Sequence, residues 1–287
     1  MCDSDTNHFI VDTSVTRRSV VIGLSSVAAA VGLPSAALAA TVTETDVMVK
    51  TADGSADAVL FHPAGRGAWP AVLLWPDILG LRPVFREMGR RLAAQGYTVL
   101  VPNPFYRTRR APIVSGPFDF GDKAAVAKLL DLKATLTDAK IDGDADAFLK
   151  FLDRQKQVDR QKGGGVQGYC FSGPFAFRTA AVRSDRIRAV ASFHGGGLVT
   201  KDPSSPHLQI QRSKARFLVA IAQNDDQKQP DAKVILKATF AAAKRPAVVD
   251  VYPADHGWCV AGSQAYNEPA AERAWRELLK LYRTALA

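Results

Sequence analysis

Gly168-Tyr169-Cys170-Phe171-Ser172-Gly173 is the stretch on which the fold turns. It follows a short apolar run, Gly165 and Val166, and opens a helix-like stretch beginning Pro174, Phe175, Ala176. That order reads as strand, tight turn and helix, with a thiol at the apex. Small residues at Gly168, Ser172 and Gly173 let the strand and helix backbones approach closely. A thiol beside a helix N-terminus meets free N–H groups and the positive end of the dipole, which favour the thiolate. Cys170 is therefore placed as a nucleophile rather than as a core cysteine.

Two further residues extend the pattern. Asp225 and His256 each follow a strand-like run further along the chain. The order nucleophile, acid, base is that of α/β-hydrolase triads. Cys170 would attack a carbonyl, His256 would carry the proton, and Asp225 would orient the imidazole and stabilise its charged form. The acid is open between Asp225 and Asp226. Asp225 is preferred because it lies nearer the end of the preceding strand, leaving Asp226 as a loop or helix-capping residue.

Outward from the turn, strand-like runs cover 45–50, 58–61, 71–75, 97–101, 165–169, 189–193, 216–221 and 247–252. Helical patterns cover 82–94, 123–130, 146–152, 173–182, 232–243 and 270–285. Several later strands are continuous apolar runs, which suits parallel strands covered on both faces. The alternation predicts an α/β-hydrolase fold: a doubly wound, mostly parallel sheet with an antiparallel hairpin at its N-terminal edge, turning at Ala52-Asp53-Gly54-Ser55. Residues 105–121 show neither pattern and read as a lid or as a surface insertion.

Residues 1–39 read as a leader. Thr16-Arg17-Arg18-Ser19 precedes an apolar stretch ending at Leu33, followed by Pro34 and the cleavage-like Ala37-Leu38-Ala39. This is a twin-arginine-type signal peptide, with a mature catalytic domain over 40–287 that is periplasmic or secreted. No other stretch is apolar enough to span a bilayer.

The 287-residue chain carries a formal charge of +9. Loss of Arg17 and Arg18 with Asp3, Asp5 and Asp12 takes it to 9 − (2 − 3) = +10. The excess is scattered and no nucleic-acid motif accompanies it. Of three cysteines, Cys2 leaves with the leader, so no disulfide framework remains. A Cys170–Cys259 bridge is the alternative to two free thiols.

Metal and cofactor patterns are not expected. Asp142, Asp144 and Asp146 imitate the start of a calcium loop, but Ala147 stands where that loop needs glycine. They read instead as a solvated acidic helix start. Gly163-Gly164-Gly165 precedes a strand and is a turn, not a phosphate cradle. His194, in Phe193-His194-Gly195-Gly196-Gly197, ends a strand and is a candidate for substrate contact or support of the site.

The mature chain resembles the dienelactone hydrolase family in four separated segments. They are Trp75-Pro76-Asp77-Ile78-Leu79-Gly80, Val101-Pro102-Asn103-Pro104-Phe105-Tyr106-Arg107, the Gly168 to Gly173 turn, and Asn224-Asp225-Asp226 with His256-Gly257-Trp258. The resemblance implies a Cys-His-Asp triad that hydrolyses a small-molecule ester or lactone without metal or organic cofactor. It implies an oxyanion hole from the N–H groups of Ile78 and Phe171, an acid near the resting thiol at Asp77, and a substrate-carboxylate arginine at Arg107. Tyr106 and Trp258 join these as candidate substrate contacts. Two departures stand out: Ser172 replaces a glycine, and Gly257, Trp258, Cys259 and Val260 stand where a second substrate arginine is found. The class of reaction thus carries over better than the substrate, leaving a broad esterase or thioesterase and a non-catalytic binding protein as rival readings.

Overall fold

The computed structural model describes residues 41–287. The leader and its cleavage site lie outside them. Eight strands form one sheet in the order β1-β2-β4-β3-β5-β6-β7-β8. They are β1 Val42–Thr51, β2 Gly54–Pro63, β3 Ala71–Trp75, β4 Thr98–Pro102, β5 Gly164–Tyr169, β6 Ile187–Phe193, β7 Arg216–Ala222 and β8 Ala247–Tyr252. β1 and β2 form an antiparallel hairpin and β2 pairs antiparallel with β4. Every other pairing is parallel. The mostly parallel sheet with an antiparallel edge matches the architecture expected from the alternation of runs.

The helices are α1 Pro83–Ala93, α2 Lys123–Ala134, α3 Asp138–Asp153, α4 Gly173–Val182, α5 Pro206–Gln209, α6 Gln223–Lys228, α7 Ala232–Ala242 and α8 Glu268–Ala285. No helix among the described residues is long and apolar enough to cross a membrane.

Strand periodicity explains why helices cover both faces. Successive side chains of a strand point to opposite sides. In β3, Leu73 and Trp75 join the core beneath α3 and α4, with Phe148 and Phe177. Val72 and Leu74 join the core beneath α1 and α8, with Phe85 and Leu278. Apolar burial on both faces is worth about 25 cal/mol per Å² of surface removed from water. Polar ties fix the layers in register. Tyr282 of α8 donates to Gln167 Oε1 of β5 at 2.8 Å, and Trp75 of β3 donates to Thr179 of α4 at 3.1 Å.

The aspartates of α3 are not a solvated helix start. Asp142 accepts two bonds from Arg178 of α4 at 2.8 and 2.6 Å, and Arg186 donates to Asp153 at 2.8 Å. Asp146 faces Arg183, and Asp144 is buried. The spacing of Asp142, Asp146 and Asp153 puts them along one side of α3, where they form an ionic seam with α4 and the segment after it, while Asp144 points to the other side. Part of the basic excess in the sequence is consumed there.

Candidate active site

The turn after β5 is built by close approach. A Cβ on Gly168 would lie 2.1 Å from the Ser172 carbonyl oxygen, and one on Gly173 would lie 2.6 Å from the Gly195 Cα. Neither position tolerates a side chain without moving backbone. Ser172 locks the turn: its Oγ accepts from Tyr169 N–H at 2.9 Å and lies 3.0 Å from the Trp75 and Tyr169 carbonyl oxygens. The hydroxyl thus ties the turn to β3, a bond no glycine could supply.

These constraints leave Cys170 at φ 58°. Left-handed backbone costs a non-glycine residue about 1–2 kcal/mol. Packing on either side holds the strain and presents the sulfur at the mouth of α4. Phe171 turns its ring inward, stacked on Phe105 with ring centres 5.7 Å apart, so only its backbone is available to the site.

β7 and β8 deliver the other groups at their C-terminal ends, the usual location of sites in parallel sheets. Asp225 stands in α6, one turn past β7, and His256 in the loop after β8. Asp225 Oδ2 lies 2.6 Å from His256 Nδ1. Asn224 Oδ1 accepts the His256 backbone N–H at 2.9 Å and steadies the loop. Asp226 points away and takes Lys233 of α7 at 2.6 Å. The geometry therefore separates the two aspartates that the sequence left open.

With Nδ1 engaged, His256 offers Nε2 to the sulfur. Ligating atoms of Cys170, His194 and His256 all lie within 4.8 Å of one another. Burial disfavours the His256 imidazolium, but Asp225 and Cys170 together overcome it and push the pKa up to about 10. His194 behaves oppositely. Burial, reinforced by the neighbouring His256, holds it well below the usual histidine range, so its ring is neutral. The two rings meet nearly edge to face, 4.7 Å apart.

Cys170, His194 and His256 border a cavity of about 490 Å³. That volume suits a small organic molecule. Ile78, Leu79, Phe118, Phe120 and Val260 make it largely apolar. Phe118 and Phe120 come from the 105–121 segment, so this stretch forms a wall of the cavity. Asp77 also borders it, bound through both oxygens to Arg82 at 2.5 and 2.8 Å, with Oδ1 accepting Leu79 N–H. The thiol is not among its hydrogen-bond partners. Asp77 thereby orders the loop that carries Ile78, whose N–H has no protein acceptor among the described residues.

Three expected substrate contacts are placed elsewhere. Arg107 donates to Asp144 at 2.7 and 2.8 Å and to Asp53 at 2.7 Å. It pins α3 to the β1–β2 turn and does not line the cavity. Tyr106 likewise donates to Asp144, at 2.8 Å. Trp258 is fully buried and stacked on Tyr252 with centres 4.6 Å apart. Arg107 and Tyr106 are structural, held by Asp144 of α3, whereas Trp258 packs behind the site, its ring 6.2 Å from that of His194. Arg82, which does face the cavity, was missed by the sequence reading; its place one residue before α1 and five after Asp77 is the available signal. Cys170 and Cys259 are both free thiols. Burial pushes the Cys259 thiol well up, so it stays protonated.

The dienelactone hydrolase family model matches residues 56–286. The chain is 26% identical over 231 residues to a putative carboxymethylenebutenolidase of Synechocystis, covering 79% of this chain and 91% of the relative. It is 27% identical over 221 residues to the carboxymethylenebutenolidase of Rhodococcus opacus, covering 75% and 81%. A crystal structure of a putative dienelactone hydrolase from Klebsiella pneumoniae superposes with a TM-score of 0.74 at 21% identity, over 85% of this chain and 99% of that one. The match of the family model over most of the chain, on the same fold, shows that this protein belongs to the dienelactone hydrolase family, a family of hydrolases.

Proposed function

We propose that this protein hydrolyses small, predominantly apolar esters or lactones through an acyl-enzyme on Cys170. The observation that carries the reading is the chain of contact from Asp225 through His256 to the sulfur, with a 2.6 Å bond at its first link. In the first step the Cys170 sulfur adds to the carbonyl carbon. The negative charge formed on oxygen faces the N–H groups of Ile78 and Phe171, each such donor being worth about 3 kcal/mol in the transition state. The C–O bond breaks as the His256 imidazolium protonates the departing oxygen. Neutral His256 then takes a proton from water, hydroxide adds to the thioester carbon, and the C–S bond breaks to release the carboxylic acid and free the Cys170 sulfur.

The cavity chemistry supports a neutral substrate. Arg107, which the sequence reading assigned to a substrate carboxylate, is spent on Asp144 and Asp53. Arg82 is held by Asp77. A carboxylate-bearing lactone would have to break that pair. The test compares kcat/KM for a neutral aryl ester with that for a lactone of similar size bearing a carboxylate. Faster turnover of the neutral ester, abolished by Cys170→Ala, is expected. A strong preference for the anionic lactone removes the substrate assignment, and activity surviving Cys170→Ala removes the mechanism.

The leader pattern, with Arg17 and Arg18 before an apolar stretch and Ala37-Leu38-Ala39 after it, supports export of the enzyme in folded form through a twin-arginine route.

A further inference from the structure

His194 is the group at the cavity floor that the proposed hydrolysis leaves unused. Its side chain is buried, and neither ring nitrogen has a hydrogen-bond partner among the described residues. An unsatisfied buried polar group costs about 1–3 kcal/mol. The residue also sits at φ 39°, a second left-handed position beside that of Cys170. Two strained residues from adjacent strands, β5 and β6, thus converge with the loop after β8. A ring nitrogen of His194, one of His256 and the Cys170 sulfur lie within 4.8 Å of one another.

We infer that Cys170, His194 and His256 form a site for a soft divalent cation, best matched by Zn2+, whose binding reversibly blocks the nucleophile. One thiolate and two imidazoles suit zinc and exclude Mg2+ and Ca2+, which require oxygen ligands. In a tetrahedral zinc site with ordinary bond lengths, neighbouring N and S ligands stand about 3.4 to 3.6 Å apart. The widest pair here, no more than 4.8 Å apart, therefore needs to close by at most about 1.4 Å. Asp225 on Nδ1 leaves Nε2 of His256 to face the metal and supplies the carboxylate partner that metal-bound histidines commonly carry. The cavity leaves the fourth position open to water. On binding, the proton shared by Cys170 and His256 passes to water and S–Zn and N–Zn bonds form, with no change of oxidation state.

The inference goes beyond the hydrolytic reading, since the site binds metal whether or not it cleaves an ester. The test titrates the reduced protein, kept so by a phosphine, with Co2+ as a spectroscopic stand-in. A near-ultraviolet sulfur-to-cobalt charge-transfer band saturating at one equivalent is expected, displaced by Zn2+, insensitive to Mg2+ and erased by a chelator. Cys170→Ala loses the band, whereas Cys259→Ala keeps it. Asp225→Asn weakens binding by roughly 10–100-fold, the cost typical of losing an outer partner. His194→Asn weakens it further, with folding checked by circular dichroism. Absence of the band, its persistence in Cys170→Ala, or its loss in Cys259→Ala overturns the inference. Because Cys170 is partly exposed at the cavity, its truncation reports binding even should the buried His194 variant not fold. A band without ester turnover would sink the hydrolytic reading alone; turnover without a band would sink the metal site alone.

Discussion

Asp225 and His256 meet from the ends of neighbouring parallel strands, carboxylate oxygen to Nδ1 at 2.6 Å, while the adjacent Asp226 turns to Lys233. The two aspartates have the same chemistry and differ only in direction. Asp225→Asn should lower kcat by about 10³–10⁴-fold, because an amide neither stabilises the imidazolium nor fixes its tautomer. Asp226→Asn should leave kcat within a few-fold and loosen only the contact with α7. Steady-state kinetics on one ester separates the two. Equal losses would contradict the assignment.

The raised His256 pKa has a pH consequence. The folded chain holds this proton more tightly than the unfolded chain, where the value is near 6.5. The associated stability is therefore complete below pH 6.5 and is lost as pH rises through about 10. The acylation rate should fall along the same high-pH limb, since the imidazolium is the acid that protonates the leaving oxygen. Cys170→Ser removes one of the two partners holding the proton, so His256 should titrate lower in that variant. Proton NMR of the imidazole across pH measures both. An unchanged midpoint in Cys170→Ser would show that the sulfur does not interact with the ring.

Arg107 and Asp144 are 13% and 3% exposed. Arg107→Ala strands a buried carboxylate and should cost about 3–5 kcal/mol of stability, read by denaturant unfolding. Adding Asp144→Asn should recover part of that loss, because the two changes are coupled. The ratio of kcat/KM values for neutral and carboxylate-bearing substrates should not move. A selective loss on the anionic substrate would restore Arg107 to the binding site.

The turn that carries the sulfur was legible because its constraint is local. Gly168, Ser172 and Gly173 are small for reasons of contact within a few residues or with the next strand's loop, and the pattern of runs on either side gave the strand and helix. The sheet was legible for the same reason, since the unbroken burial of β3 and β4, covered on both faces, is written in runs of consecutive residues. Arg107 and Tyr106 were misread because their partner, Asp144, lies 37 and 38 residues away on α3. Nothing in the spacing of Asp142 and Asp146 distinguishes a solvated helix start from an ionic seam, and nothing beside them announces that Asp144 is buried against Arg107 and Tyr106. His194 could be marked as a strand-end histidine, but its unsatisfied ring and its convergence with Cys170 and His256 exist only in three dimensions.

Ser172 gives the sharpest stability test of the turn. Ser172→Ala leaves the Tyr169 N–H without its buried acceptor and should cost about 1–3 kcal/mol. Gly168→Ala should be worse, since its methyl would overlap the Ser172 carbonyl, and the variant should not accumulate as folded protein. Thermal melts and soluble yield check both. A Gly168→Ala protein as stable as wild type would mean that strand and helix do not approach as closely as described.

The most direct test of the account is acid-quenched mass spectrometry during turnover of a slowly hydrolysed ester. One acyl group per chain should appear, map to the peptide containing Cys170, and decay at the rate of product release. An acyl group on any other residue, or undiminished hydrolysis by Cys170→Ala, would contradict the account.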